Sequence, residues 1–565
     1  MKTNRLSAAT PGLCAAALLV TFCAAVACGA PFAPLDPDLP VARLFDAGAS
    51  LPDPLPARPP TDAWAPVPEG ATAYAFRGDA VALNNRVALV ARTGSAGVQL
   101  YSRSADGLRL RAMLSPVAAG GAVRGVQVAE NSPGAAALQV AFGTGSTVMT
   151  FRITTGDVKV ETRCTAGLAL RCDARWAVVP DFFANDMVFD AGAFEGERLG
   201  LPAENFFLGL LDGFDCMLMS VWDAPGRDAD LLASAAPSGR TIAGWDIAGA
   251  EGARTWVAVL EGPGMWHEGA VPAGTTSDLT LSWTPPFAAK WRADVLSDGP
   301  LALSVGLGDG TGDEGEGPAG PACACTVADG QTLLGLATGW AGRVVVYPID
   351  RSRTTPLSAF CPIDVLRTAL GVGPCQYILA MEGIDVESHP TPADVTHWIE
   401  QQFKRGRDGR QAEAIRQRLD QMVSHVGHTQ DRIGLYRQFA RDVRGTCSER
   451  RTGPAAPAAE LLARTADDME RAVGADDAAG VPEDARRLAA GIAALIGQAD
   501  AAGECAKLGA ELRALGAAQD RALAGGRMAV RWLRQQCRTV AASDPAGAEL
   551  ATQLQARAEA MLGQQ

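Results

Sequence analysis

The chain has no G-x-S-x-G elbow, no P-loop, no H-E-x-x-H pair, no C-x-x-C-H haem site and no G-x-G-x-x-G placed between a strand and a helix. Serine-hydrolase, nucleotide, zincin and c-haem chemistry each need one of these arrangements, so each loses its support. Basic charge is also lacking. The formal net charge is -13, whereas a nucleic-acid binder carries a basic stripe and an anionic-lipid binder a basic patch. Histidine is scarce, and His267 stands alone between residues 71 and 350. Past Leu13–Ala27 no apolar run approaches the ~18 residues of a membrane span.

What is present begins with an export leader. Lys2 and Arg5 precede the apolar run Leu13–Ala27, and small residues follow at Ala25-Val26-Ala27-Cys28. Signal peptidase accepts Ala25-x-Ala27. The same residues resemble a bacterial lipobox, which would place lipid on Cys28, although Ala25 replaces the usual leucine. Either route places the chain in the periplasm or at the cell surface. Ten of the thirteen cysteines lie beyond Cys28. An oxidising compartment permits disulfides, with Cys164 and Cys172 flanking a turn and Cys361 and Cys375 bracketing a helix, and buried free thiols are the alternative.

The expected organisation is multidomain, with segments 1–28 (leader), 29–70 (Pro-rich linker), 71–350 (β), 351–408 (helical connector) and 409–565 (helical bundle). The linker contains PFAPLDPDLP and LPDPLPARPP, in which frequent proline blocks both helix and ladder. Between Ala71 and Asp350, short runs such as Val98–Ser104, Ala136–Phe142 and Thr255–Leu260 alternate with Gly, Asn, Asp or Ser breaks. This spacing predicts a large antiparallel β-sandwich region. Its size fits a supersandwich of the galactose mutarotase type, or two sandwiches in series. The mutarotase comparison is architectural, with no residue motif behind it.

Near Pro356 the apolar period changes from two to about 3.6. Thr391-Pro392-Ala393-Asp394 is a helix start, with Thr as N-cap and Pro at the first turn. Stripes at Ile415/Leu419/Met422/Val426, Ile433/Tyr436/Phe439/Val443 and Leu488/Ile492 predict an all-α helical bundle with short loops. Gly427 is expected to end a helix after His425.

The densest chemistry lies in Asp181–Asp223, where eight aromatics are interleaved with nine carboxylates. Sugar sites combine aromatic faces with carboxylates, and glycoside hydrolysis needs two carboxyl groups about 5–10 Å apart. Glu204, flanked by Pro202, Phe206 and Phe207, is the candidate acid, with Asp186 or Asp190 as its partner. Phe206, Phe207 and Trp222 are the candidate ligand-binding aromatics. The plainer reading makes these rings core and these carboxylates turn residues. His267-Glu268 could do acid–base work, or be an ordinary loop pair. His425 and His428 could share a metal, with only Asp420 or Asp431 near in sequence as a third ligand. The acidic loop Gly306–Gly320 offers Asp309, Asp313, Glu314 and Glu316 to calcium, without EF-hand spacing. No other cofactor is expected, and no nucleic-acid partner.

The expected function is an exported, envelope-associated binding or scaffold protein, with a glycan or an envelope protein as partner. The alternative is a carbohydrate-active enzyme using paired carboxylates in the β region.

Overall fold

The computed structural model describes residues 41–563. It omits 105, 118–120, 181–185, 193–195, 224–226, 237–238, 276–277, 297–301, 308–324, 329–330, 336–339, 353, 373–378, 380–381, 383–388, 406–408, 475–479, 497 and 499–500. Within the described residues every strand ends by Asp350 and every helix of the C-terminal region begins at or after Pro362, so a large antiparallel β region precedes a helical region.

Leu168–Val179 is the strand on which the large sheet turns. Its first half pairs with Gly107–Ser115 on one side and Gly239–Ile247 on the other. Beyond the irregularity at Asp173–Arg175 its second half pairs with Phe206–Leu211 and Met187–Phe189. Three antiparallel ribbons therefore meet at one strand. One runs back to Arg43–Asp46 through successive hairpins. A second leads through Cys216–Trp222 and Arg254–Glu261 to Lys159–Arg163. The third joins Gly239–Ile247 to Ala229–Ala236 and Arg198–Leu201.

Cys216–Trp222 shows why the middle of this sheet is so apolar. Leu218 and Trp222 enter one core, while Met217, Met219 and Val221 enter another on the opposite face. A strand covered on both faces loses the alternation of a half-exposed one. The second core is closed by a four-stranded sheet of His267–Thr275, Trp340–Asp350, Lys290–Leu296 and Leu303–Leu307. Tyr347 and Val345 face that core, and Val344 and Val346 face away into a third.

Residues 41–70 fall in the expected linker, yet they contribute to the sheet. Arg43–Asp46 pairs with Ala80–Leu83, and Leu44, Leu55, Trp64 and Val67 are buried. Proline withholds an N–H but still permits turns and extended chain, so the apolar residues between prolines can pack. Asp46 accepts backbone N–H bonds from Gly48 (2.9 Å), Arg77 (3.0 Å) and Gly78 (3.0 Å).

Among the described residues the helices are α1 (Pro362–Leu370), α2 (Pro392–Arg405), α3 (Gly409–Ser448), α4 (Ala456–Val473), α5 (Val481–Ala494), α6 (Ala502–Ser543) and α7 (Ala548–Leu562). Thr391 caps α2 as its sequence predicts, accepting from the Asp394 N–H at 3.2 Å and donating to the Asp394 carboxylate at 2.7 Å. The break expected at Gly427 is absent, since Gly427 lies within α3; Gly525-Gly526 lies within α6. At Gly526 a Cβ would stand 3.0 Å from the Tyr436 ring, so the missing side chain lets α6 approach α3. Two apolar clusters result. One holds α4, α7 and the C-terminal halves of α3 and α6, and the other holds α2, α5 and their N-terminal halves. Among the described residues no helix is long and apolar enough to cross a membrane. The leader and Cys28 lie outside the described residues.

Candidate functional site

Four arginines on α6 (Arg527, Arg531, Arg534 and Arg538) recur at spacings of four, three and four, which places them on one helical face. That face lies against the β region. Arg527 binds the Glu204 carboxylate through Nε and the Glu382 carboxylate through Nη1. Arg531 donates to the Pro202 carbonyl at 3.0 Å and to the Ala203 carbonyl. Arg534 and Arg538 both reach Asp228, at 2.7 and 2.8 Å. Between them Trp532 meets the Phe189 ring at 5.6 Å. Gln535 lies so near Gly200 that a Cβ there would fall 2.2 Å from its amide oxygen.

Glu382 is fully buried, and three donors converge on it. Besides Arg527 it receives Arg432 at 2.6 Å and the Tyr436 hydroxyl at 2.6 Å. Burial would raise its pKa, but Arg527, Tyr436 and Arg432 together hold it below the usual carboxylate range. Arg527, itself buried, thus ties the segment before Phe206 to the segment before α2 and to α6. Glu204 serves here as a docking carboxylate.

Asp186 belongs to a different network. Its side chain is fully buried and meets Arg292 Nη1 at 2.5 Å and the Tyr347 hydroxyl. The Tyr347 oxygen also lies 2.7 Å from Asp294 Oδ2. Asp190 takes a third place, paired with Arg343 at the surface and capping its own turn through the Gly192 N–H at 2.9 Å. Glu204, Asp186 and Asp190 are thus held by three separate sets of partners.

Phe207 and Trp222 are fully buried and offer no ring face to solvent. Phe207 packs edge-on against Trp245 at 5.0 Å and Trp222 at 6.3 Å. Gly209 makes room for Trp245, whose ring would stand 2.5 Å from a Cβ at that position. Phe206 is half-buried beside the second core. Among the described Phe, Trp and Tyr residues Phe214 is exposed, and it adopts φ 61° in the turn before Cys216. Its ring lies 4.6 Å from Trp266 and 5.9 Å from His267. His267 stacks in turn on Trp283 at 6.0 Å, and burial lowers its pKa against the opposing pull of Glu268. Glu268 accepts from the Trp176 indole at 2.7 Å.

The fold brings His389 beside His428, with ring centroids 5.2 Å apart. His425 is buried, its Nε2 3.5 Å from the Thr429 hydroxyl, and burial with two neighbouring histidines lowers it to about 4. Among the described residues no group of three or more potential ligands could hold a metal. Asp309, Asp313, Glu314 and Glu316 lie outside the described residues. Cys164, Cys172, Cys216, Cys361, Cys447, Cys505 and Cys537 are free thiols.

No known protein family matches the chain, and no curated protein matches it. Among solved structures it is similar to a glycoside hydrolase family 81 protein from Clostridium thermocellum, at 9% identity and a TM-score of 0.19. That likeness covers 48% of this chain and 34% of the other, so the chain spans about a third of that protein's length.

Sequence reasoning missed the arginine face of α6. Its signal was available: four arginines at helical spacing among apolar residues mark a helix with a charged docking surface.

Proposed function

We propose that the chain is an exported, envelope-associated binding or scaffold protein, in which a β-sandwich region and a helical bundle act as one rigid unit. The observation that carries this reading is the Glu204–Arg527–Glu382 network. The residue best suited by sequence to be a catalytic acid is bound by a buried arginine, which makes it a structural anchor. A glycan is the proposed ligand class, and the exposed Phe214 ring beside His267 is the surface that supports it. Sugars stack their apolar faces on such rings and hydrogen-bond to neighbouring polar groups. Export by the N-terminal leader, with lipid on Cys28, completes the proposal.

The test is a panel of envelope glycans and polysaccharides incubated with the purified protein. Binding without turnover, weakened by Phe214→Ala and indifferent to Glu204→Gln, is the expected result. Turnover abolished by Glu204→Gln at an unchanged melting temperature would establish the enzyme alternative instead.

A further inference from the structure

We propose that Asp186, Tyr347 and Asp294 form a one-proton lock that fastens the four-stranded sheet to the large sheet and opens when that proton leaves. Asp186 immediately precedes Met187–Phe189, a strand of the large sheet. Tyr347, Asp294 and Arg292 belong to the four-stranded sheet. Backbone bonds reinforce the junction, since the Ala302 N–H donates to the Asp186 carbonyl at 2.9 Å and the Asp186 N–H to the Ser304 hydroxyl at 2.7 Å.

Counting hydrogens requires the shared proton. The Tyr347 oxygen is within hydrogen-bond range of Asp186 Oδ2 and of Asp294 Oδ2. A phenol has one hydrogen and donates once. With both carboxylates ionised, one of the two contacts would set lone pairs against lone pairs in a dry interior. The contact becomes a bond if that carboxyl carries a proton and donates it to the tyrosine oxygen. Arg292 decides which one. Its Nη1 stands 2.5 Å from Asp186 Oδ1, so Asp186 is the ionised member and Asp294 the protonated one. The chain of donation runs from Asp294 to Tyr347 to Asp186, with Arg292 balancing the single negative charge.

Burial, followed by the charge of Asp186, holds Asp294 well above the usual carboxylate range, while Arg292 opposes the shift. The same burial and the two carboxylates raise Tyr347, so the phenol stays protonated. Asp186, Asp294, Arg292 and Tyr347 are the charged and titratable groups that face one another here. Asp186, Asp294 and Tyr347 are fully buried, so the proton reaches water only if the junction opens. Losing it leaves a second carboxylate charge with one arginine between two, which favours the open form.

Asp294→Asn preserves the bond, because its amide N–H can donate to Tyr347 as the acid O–H does, and it has no proton to lose. Urea denaturation of the full chain across about pH 5–9 compares it with the wild type. The folding equilibrium of the variant should gain on the wild type about tenfold per pH unit until Asp294 ionises. Asp186→Asn strips Arg292 of its counter-ion and should be less stable at every pH. Independently of any variant, infrared spectra of the wild type at about pH 7 should contain a protonated carboxylic-acid carbonyl band. That band should fade as unfolding sets in at alkaline pH, and be weaker by one carboxyl in Asp294→Asn, with Asp520, which burial raises to about 7, supplying the remainder. An equally strong band in wild type and Asp294→Asn, or parallel pH profiles for the two, would overturn the lock.

Discussion

Replacing Arg527 by alanine should be the most damaging single change on the docking face of α6. The guanidinium serves two carboxylates and is almost wholly shielded from water. Its removal leaves Glu382, fully buried, with Arg432 and Tyr436 alone, and leaves Glu204 with Arg531 at 4.0 Å. Breaking a buried pair by deleting one partner costs about 3–5 kcal/mol. That is a large share of the ~5–15 kcal/mol that stabilises a folded domain. Arg538→Ala makes the comparison sharp. Arg538 and its partner Asp228 each keep about a third of their side-chain surface in water, so the loss should stay within about 1 kcal/mol. Glu204→Gln keeps a carbonyl oxygen for Arg527 and should fall between, at about 1–2 kcal/mol. Urea denaturation followed by circular dichroism gives these differences. A double-mutant cycle on Arg527 and Glu204 should show non-additivity of about 1–3 kcal/mol. An Arg527→Ala cost no greater than that of Arg538→Ala would refute the reasoning.

Acid should loosen the same junction. Glu382 is held below its ordinary pKa, so its contribution is present above about pH 4.5 and is lost as pH falls through its folded value; proteolysis between the β region and α2 should accelerate below about pH 4. Asp46 is lowered to about 2, because the Arg77, Gly48 and Gly78 N–H groups outweigh its burial. Asp46→Asn should then cost about 1–3 kcal/mol near neutral pH, since an amide turns a donor toward at least one of these N–H groups; thermal melts check this. Burial pushes the Cys216 thiol far above its usual pKa, so alkylating reagents should leave it unlabelled until the chain unfolds, as mass spectrometry can follow.

How much of this was legible depended on what each residue's signal reports. The strand Val98–Ser104 was read with its observed limits, and the change of period near Pro356 marks the real division between strands and helices. Phe206–Leu211 and Cys216–Trp222 did not register as strands, because cores on both faces erase the alternation that identifies one. Leu168–Val179 escaped because Arg171, Asp173 and Arg175 interrupt its apolar run just where pairing becomes irregular. Gly427 read as a stop, yet it lies inside α3, because one glycine is tolerated in a helix whose flanking apolar residues pack on both sides of it. The partner of Glu204 lies 323 residues away in sequence, beyond the reach of local pattern. Desolvation of Glu204 could be foreseen from its apolar neighbours; the arginine that meets it could not. Asp186 drew notice as half of a catalytic pair, yet its partners Arg292 and Tyr347 arrive from strands more than a hundred residues downstream.

Native-state hydrogen exchange tests the central claim most directly, by comparing the amides of residues 527–538 in α6 with those of the strand Phe206–Leu211. If the arginine face locks helices and sheet into one unit, both segments should open with the same free energy, and Arg527→Ala should lower that of α6. Faster exchange of α6 in the wild type, unchanged by Arg527→Ala, would contradict it.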